Sequence, residues 1–281
     1  MSTTLTPPPA SAPQAPPPAE PRGSSRVIAI LAIALGAVLI LGTIVFSVIG
    51  GIRSAAVRTE SLSADAAGVT ALDIDVAASE FRIAYGGSEA TLSVTGGSGT
   101  SDWRLERTGD TLVVTSDRGW FRGWGWFRGE ERAVLTLPER LASTTLDASF
   151  DVGAGSVRAD GTYGMLELDL GAGSIDVSGT AEQLDADVSA GRVSVDLREV
   201  RTGTVQVSAG ELVGAVDGDV DELNLDVSAG RIDLEVPDAR YAITSDVSAG
   251  DFTHDLTTDP GADRRIDVSV SAGGVTLHGA R

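Results

Sequence analysis

Through the second half of the chain, apolar residues alternate with polar ones in short runs, and three small residues interrupt the alternation at a recurring place. The clearest copies read Leu184-Asp-Ala-Asp-Val188-Ser-Ala-Gly191-Arg-Val193-Ser-Val195-Asp-Leu197 and Leu223-Asn-Leu225-Asp-Val227-Ser-Ala-Gly230-Arg-Ile232-Asp-Leu234-Glu-Val236. A period of two marks a strand with one buried face. The gap from Val188 to Val193 is odd, so the apolar set would change faces unless Ser-Ala-Gly is a corner that returns both runs to one interior. Gly supplies the positive φ expected of such a corner, and Ser and Ala are small enough to stack there. Looser copies centre on Gly155, Gly173, Gly210, Gly250 and Gly273, at intervals of roughly 18 to 23 residues, the range of solenoid repeats. One rung is strand, corner, strand, loop.

The few aliphatic side chains of one rung cannot offset the entropy of ordering it, so rungs must share a core and a backbone ladder with their neighbours. The pattern predicts an all-β fold, a parallel β-helix or closely related β-solenoid, with regular repeats over 146–281. An antiparallel sandwich of short hairpins is the alternative, but Asp-Gly or Asn-Gly turns would be typical of it. Upstream, Leu72-Asp-Ile74-Asp-Val76-Ala-Ala-Ser-Glu-Phe81-Arg-Ile83 is a degenerate copy with Ala77-Ala78-Ser79 at the corner. It predicts an early, atypical rung, as terminal repeats usually are. Further strands are expected at Ala90 to Val94, Asp102 to Leu105, Thr111 to Thr115 and Ala133 to Leu137, making 69–145 an N-terminal set of irregular rungs.

Residues 1–25 are rich in Pro, Ala and Ser and have almost no large apolar side chains. They read as a disordered or extended tail, a spacer or a ligand for aromatic grooves. Val27 to Ile52 carries no charge and is bounded by Arg26 and Arg53. As a helix it would reach ~39 Å, enough to cross a bilayer, and it is longer and later than a signal-peptide core of about 7–15 residues. The expectation is a transmembrane helix over 26–53 followed by a stalk over 54–68. Arg22 and Arg26 balance Arg53 and Arg58, so the positive-inside count ties. The short tail and the absence of cysteine favour a cytoplasmic N-terminus and an extracytoplasmic β-domain.

Charge narrows the partners. There are 40 acidic and 21 basic side chains, every one of the latter Arg, for a net charge of −19. That argues against nucleic acid, which requires a basic face. Asp151, Asp169, Asp187, Asp226 and Asp246 each stand two residues before a corner, on the outward side of the strand. Stacking would bring neighbours to about 4.8 Å, with Gln206 interrupting the line. The ladder is either a solvated acidic face or a place where Ca²⁺ bridges carboxylates. The stretch Gly171 to Gly179 superficially resembles a calcium-binding nonapeptide repeat, but its Asp is off register and its period is twice too long. Catalysis finds little support: a thiol nucleophile is ruled out, His254 and His278 lack a metal-ligand spacing, and the serines sit at repeated corners. An enzyme acting on cell-wall glycan, with a site assembled across rungs, is the remaining catalytic alternative.

One stretch departs from the repeat altogether. In 118–129, Trp120, Phe121, Arg122, Trp124, Trp126, Phe127 and Arg128 are interleaved with glycines, and three of the four tryptophans fall there. Trp and Arg are the commonest binding hot spots, and Trp favours membrane interfaces. The stretch reads either as a projecting loop that contacts a partner protein, a glycan or a lipid surface, or as a lid of rings and stacked guanidiniums over an open solenoid end.

Together, the single apolar segment, the degenerate rungs and the Asp-Val-Ser-Ala-Gly-Arg phrases resemble the bacterial putative-adhesin family, a β-strand-repeat domain of unknown function. The resemblance runs from about residue 69 to the end. It implies a β-helical domain on a membrane anchor in the cell envelope and carries over no catalytic residue. The expected role is a non-catalytic binding or scaffold module. The alternative that the family context implies is an envelope-stress sensor or modulator signalling by protein contact.

Overall fold

The computed structural model describes residues 58–96, 102–116 and 131–280, all within one compact unit, Ala56–Arg281. The tail, the apolar segment Val27 to Ile52 and the Trp/Arg-rich stretch lie outside the described residues. Among the described residues no helix is long and apolar enough to cross a membrane, and the helical content is one 3₁₀ turn, Glu139–Ser143, which buries Leu141.

The expected alternation is what builds the strands. In Leu184, Ala186 and Val188, and again in Val193, Val195 and Leu197, every apolar residue is buried, while the Asp, Ser and Arg between them face outward. Strands before the corners form one parallel ladder and strands after them a second; β8 joins the two into one curled sheet, whose halves, the first and second sheet below, enclose a continuous Leu, Val and Ile core. In the first sheet, β2 (Ala71–Val76) lies beside the start of β8 (Leu146–Val188). The end of β8 pairs with β10 (Thr202–Val207), and β10 with β12 (Glu222–Val227). In the second, β3 (Glu80–Tyr85) pairs with a later part of β8, which further on pairs with β9 (Arg192–Arg198). The series continues through β11 (Glu211–Val216) and β13 (Arg231–Val236). β8 is one unbroken run that passes through the corners at 153–155 and 171–173.

The corners stack in a single column. Ser189 N donates to Leu170 O and Ala190 N to Gly171 O; one rung on, Ser208 N donates to Val188 O and Ala209 N to Ser189 O. The degenerate corner belongs to this column: Ala154 N reaches Ala77 O at 2.8 Å and Ser156 N reaches Ser79 O at 2.9 Å. The expectation that each corner needs positive φ is corrected. Only Gly173 (φ 113°) and Gly191 (φ 117°) take it among the seven corner glycines. At the others glycine supplies space: a Cβ on Gly210 would lie 2.8 Å from the carbonyl oxygen of Gly191.

The stacking order departs from the chain order at both ends. β6 (Thr111–Ser116) and β7 (Arg132–Leu137) form a rung outside β2 and β3, so the chain steps outward before β8 returns to the inner side. Antiparallel strands close this end: β5 (Trp103–Thr108) on β6, β4 (Ala90–Gly96) on β7, and β1 (Arg58–Ala64) on β4. β1 lies in the segment read as a stalk; Ala66 and Val69 join the core just after it. At the other end, β14 (Arg240–Val247) and β15 (Asp251–His254) follow β13 in sequence but stack outermost. β17 (Arg265–Val270) and β18 (Gly274–Gly279) are inserted between, with β17 bridging β12 and β14 and β18 bridging β13 and β15. The short β16 (Thr257–Thr258) pairs with the start of β14.

Candidate binding surfaces

The residues that flank the Trp/Arg-rich stretch are held by the neighbouring rung. β6 and β7 pair with β2 and β3, which are joined by the corner Ala77-Ala78-Ser79. In the chain, residues 117–130 thus join β6 to β7 where the neighbouring rung joins β2 to β3 through three small residues. Both stems are pinned. The buried Ser116 Oγ accepts from Ala77 N at 2.7 Å. Glu131 O accepts from Glu80 N at 3.0 Å, while its carboxylate accepts from Trp103 Nε1 at 2.7 Å and Ser79 Oγ at 3.3 Å. Trp103 stacks on Phe81, centroids 5.9 Å apart and planes at 16°. The fourth tryptophan is thus a core residue that orients a stem. Arg132, just past the insertion, forks onto Glu80 at 2.7 and 2.9 Å, and the guanidinium holds that carboxyl below its ordinary pKa. Trp120, Phe121, Arg122, Trp124, Trp126, Phe127 and Arg128 themselves lie outside the described residues.

The two outer faces differ in charge. On the second sheet acids and arginines alternate between rungs and pair: Arg158 with Asp176 at 3.2 Å and Arg192 with Glu211 at 2.6 Å. Exposed pairs of this kind contribute little stability each, but they leave the face nearly balanced. The first sheet presents Asp73, Asp147, Glu167, Asp185 and Glu222 with few arginines among them. The registers align Asp75 with Asp151, and Asp187, Gln206, Asp226, Ser269 and Asp246 in turn, and the bond from Ser189 N to Leu170 O sets the rung of Asp169 against that of Asp187. Asp75 extends the expected ladder. Asp226 and Asp246 are not neighbours in it, because the inserted β17 places Ser269 between them. Among the described residues no group of three or more His, Asp or Glu side chains converges as a metal ion would require; a ladder spreads its carboxylates along a line.

The histidines lie near the far end of the stack. His278 Nε2 is 3.5 Å from Asp233 and its Nδ1 is 4.0 Å from Asp255, on an exposed surface. His254 packs against Phe252, centroids 5.2 Å apart. Inside, Tyr163 is buried edge-on to Phe150 at 6.3 Å, and neither its hydroxyl nor that of Thr180 has a hydrogen-bond partner among the described residues. Burial, then the nearby Tyr85 and Asp160, push the Tyr163 phenol upward, while burial and Asp160 raise Tyr85 to about 12. Alternation alone marks Tyr163 as inward but does not show that its hydroxyl goes unpaired.

No family model matches the chain, and no curated protein matches it by sequence. Among solved structures, it is similar to one described as a putative adhesin from Parabacteroides distasonis, at 14% identity and a TM-score of 0.47, covering 79% of this chain and 97% of the other. A putative cell adhesion protein from Clostridium sporogenes aligns at 9% identity and a TM-score of 0.37, covering 80% and 100%. A putative lipid binding protein from Parabacteroides distasonis aligns at 14% identity and 0.39, covering 78% and 96%.

Proposed function

We infer that the chain is a membrane-anchored cell-envelope β-solenoid that acts as a non-catalytic, adhesin-like binding or scaffold module. Its contact surface in this reading is the Trp120 to Arg128 stretch, and its anchor is 27–52, with the N-terminus cytoplasmic and the β-domain outside. The observation that carries the reading is the pinned insertion. A stretch rich in tryptophan and arginine replaces a three-residue corner, between stems fixed by Ser116 and Glu131. A rigid frame lowers the entropy lost when such a loop meets a partner. The acidic first sheet is the second candidate surface, for partners bridged by Ca²⁺.

The test is binding of the full chain, in mild detergent, to cell-wall polysaccharide, to anionic liposomes and to membrane extract, with and without Ca²⁺. It is run beside a variant with Trp120, Trp124 and Trp126 changed to Ala. Loss of binding with an unchanged circular dichroism spectrum is the expected result. Binding that persists and requires Ca²⁺ would move the contact to the acidic face. Unfolding of the variant would make the rings a lid.

A further inference from the structure

The corner column has a direction. At every Ser-Ala-Gly rung described, the backbone N–H groups of the corner point to the inner neighbour and its carbonyls point to the outer one. Ser228 N donates to Val207 O, Ala229 N to Ser208 O and Arg231 N to Gly210 O. The same three bonds recur when Ser271, Ala272 and Gly274 donate to Val227, Ser228 and Gly230, and again when Ser248, Ala249 and Asp251 donate to Val270, Ser271 and Gly273. At the last corner, the carbonyls of Val247, Ser248 and Gly250 accept from nothing among the described residues. The outer edge of β15, and that of β14 beyond Arg240 and Tyr241 where β16 pairs, meet no described strand either. Unpaired edges of this kind template strand addition.

The side chains on this rung are also unfinished. Val247, in line with the buried Val188, Val207, Val227 and Val270, is 39% exposed. Ile243 and Phe252 are only partly covered. Directly after the corner, the column that pairs Arg192 with Glu211 at 2.6 Å ends in Asp251, which has no cation against it among the described residues.

We propose that the outer edge of β14 and β15 is a strand-addition site for an extended segment of another protein, one that alternates apolar residues, turns through small residues and places a cation immediately after the turn. Such a segment donates its turn N–H groups to Val247, Ser248 and Gly250, covers Ile243, Val247 and Phe252, and sets its cation on Asp251. A second copy of this chain does not fit. Two copies meeting through this edge about a two-fold axis would face carbonyls with carbonyls and Asp251 with Asp251. The opposite end of the solenoid is closed by antiparallel β4 and β5 and offers no Ser-Ala-Gly rung.

The probe is a fluorescein-labelled peptide with the sequence of 223–236, whose Arg231 follows the corner, together with the same peptide carrying Arg231→Glu. Fluorescence anisotropy is read against the full chain in mild detergent. The Arg peptide is expected to bind saturably, and more tightly than the Glu peptide. The exposed variant Asp251→Arg should weaken the Arg peptide about tenfold, because an attraction becomes a repulsion, and should reverse the preference between the two peptides. Absence of saturable binding by either peptide overturns the proposal. So does equal affinity for both on the unmodified protein. A dimer in solution that Val247→Lys dissolves overturns it as well, since a second copy would then be the occupant.

Discussion

Replacing Gly191 by Ala tests how the corners hold the rungs together. Gly191 sits at φ 117°, and a Cβ there would run into the carbonyl oxygen and amide nitrogen of Gly173 on the next rung. Two effects add. The backbone conformation costs an L-residue about 1–2 kcal/mol. Forcing an extra carbon against the closely packed backbone of the neighbouring rung costs about 1–3 kcal/mol more. The sum is about 2–5 kcal/mol. Gly87 provides the control: its φ is also positive, at 72°, but a Cβ there meets nothing within 4 Å. Gly87→Ala should show the conformational cost alone, about 1 kcal/mol. Urea unfolding of both variants, followed by circular dichroism with m-values compared, isolates the contact between rungs as the difference. Equal losses would refute the stacking argument, since glycine would then serve φ and not close approach.

The remaining predictions use side chains whose partners are known. Tyr163→Phe removes a buried hydroxyl that has no partner among the described residues and should leave urea stability unchanged or raised. Tyr241→Phe, which loses a 3.0 Å bond to Pro237 O, should cost about 1 kcal/mol. The phenols of Tyr85 and Tyr163 are raised when folded, so above pH 10 the unfolded chain releases protons that the folded chain retains. Stability is therefore complete below pH 10 and should fall between pH 10 and about 12, and the double variant Tyr85→Phe/Tyr163→Phe should flatten that fall in an alkaline melting series. Trp103→Phe keeps the stack on Phe81 but loses the bond to Glu131. It should cost about 1–2 kcal/mol and raise hydrogen exchange at the Glu80 amide, which is bonded to Glu131 O; unchanged exchange would detach Trp103 from the stem.

The interior was legible because period two is a local signal. Leu223, Leu225 and Val227 face inward for the same reason that Asn224 and Asp226 do not. The corner was legible from its fixed place between two alternating runs, even in the degenerate Ala77-Ala78-Ser79. The order of the rungs was not, because the corners are nearly interchangeable. Ser248-Ala249-Gly250 matches Ser228-Ala229-Gly230 as well as it matches Ser271-Ala272-Gly273, so nothing local says which pairs with which. β1 escaped notice for a different reason. In Arg58–Ala64 only Leu62 and Ala64 are apolar positions facing the core, too few to show a period, and the strand is held by its antiparallel register with β4. For the binding surfaces, the sequence singled out the Trp/Arg-rich stretch and the carboxylate line. The open edge at β14 and β15 depends on rung order and so is visible only in the fold.

Rung order decides which edge ends the solenoid, and cross-linking tests it most directly. The chain contains no cysteine, so pairs can be introduced on the exposed first sheet without background. Asp226→Cys/Ser269→Cys and Ser269→Cys/Asp246→Cys join positions that are register neighbours, about 4.8 Å apart. Asp226→Cys/Asp246→Cys joins positions two strands apart, roughly 9–10 Å. A thiol reagent that bridges about 5 Å, the spacing of adjacent strands, should close the first two pairs and leave the third open. Closure of the Asp226/Asp246 pair with failure of Asp226/Ser269 would mean that the rungs stack in chain order, and that the final rung is built from β17 and β18.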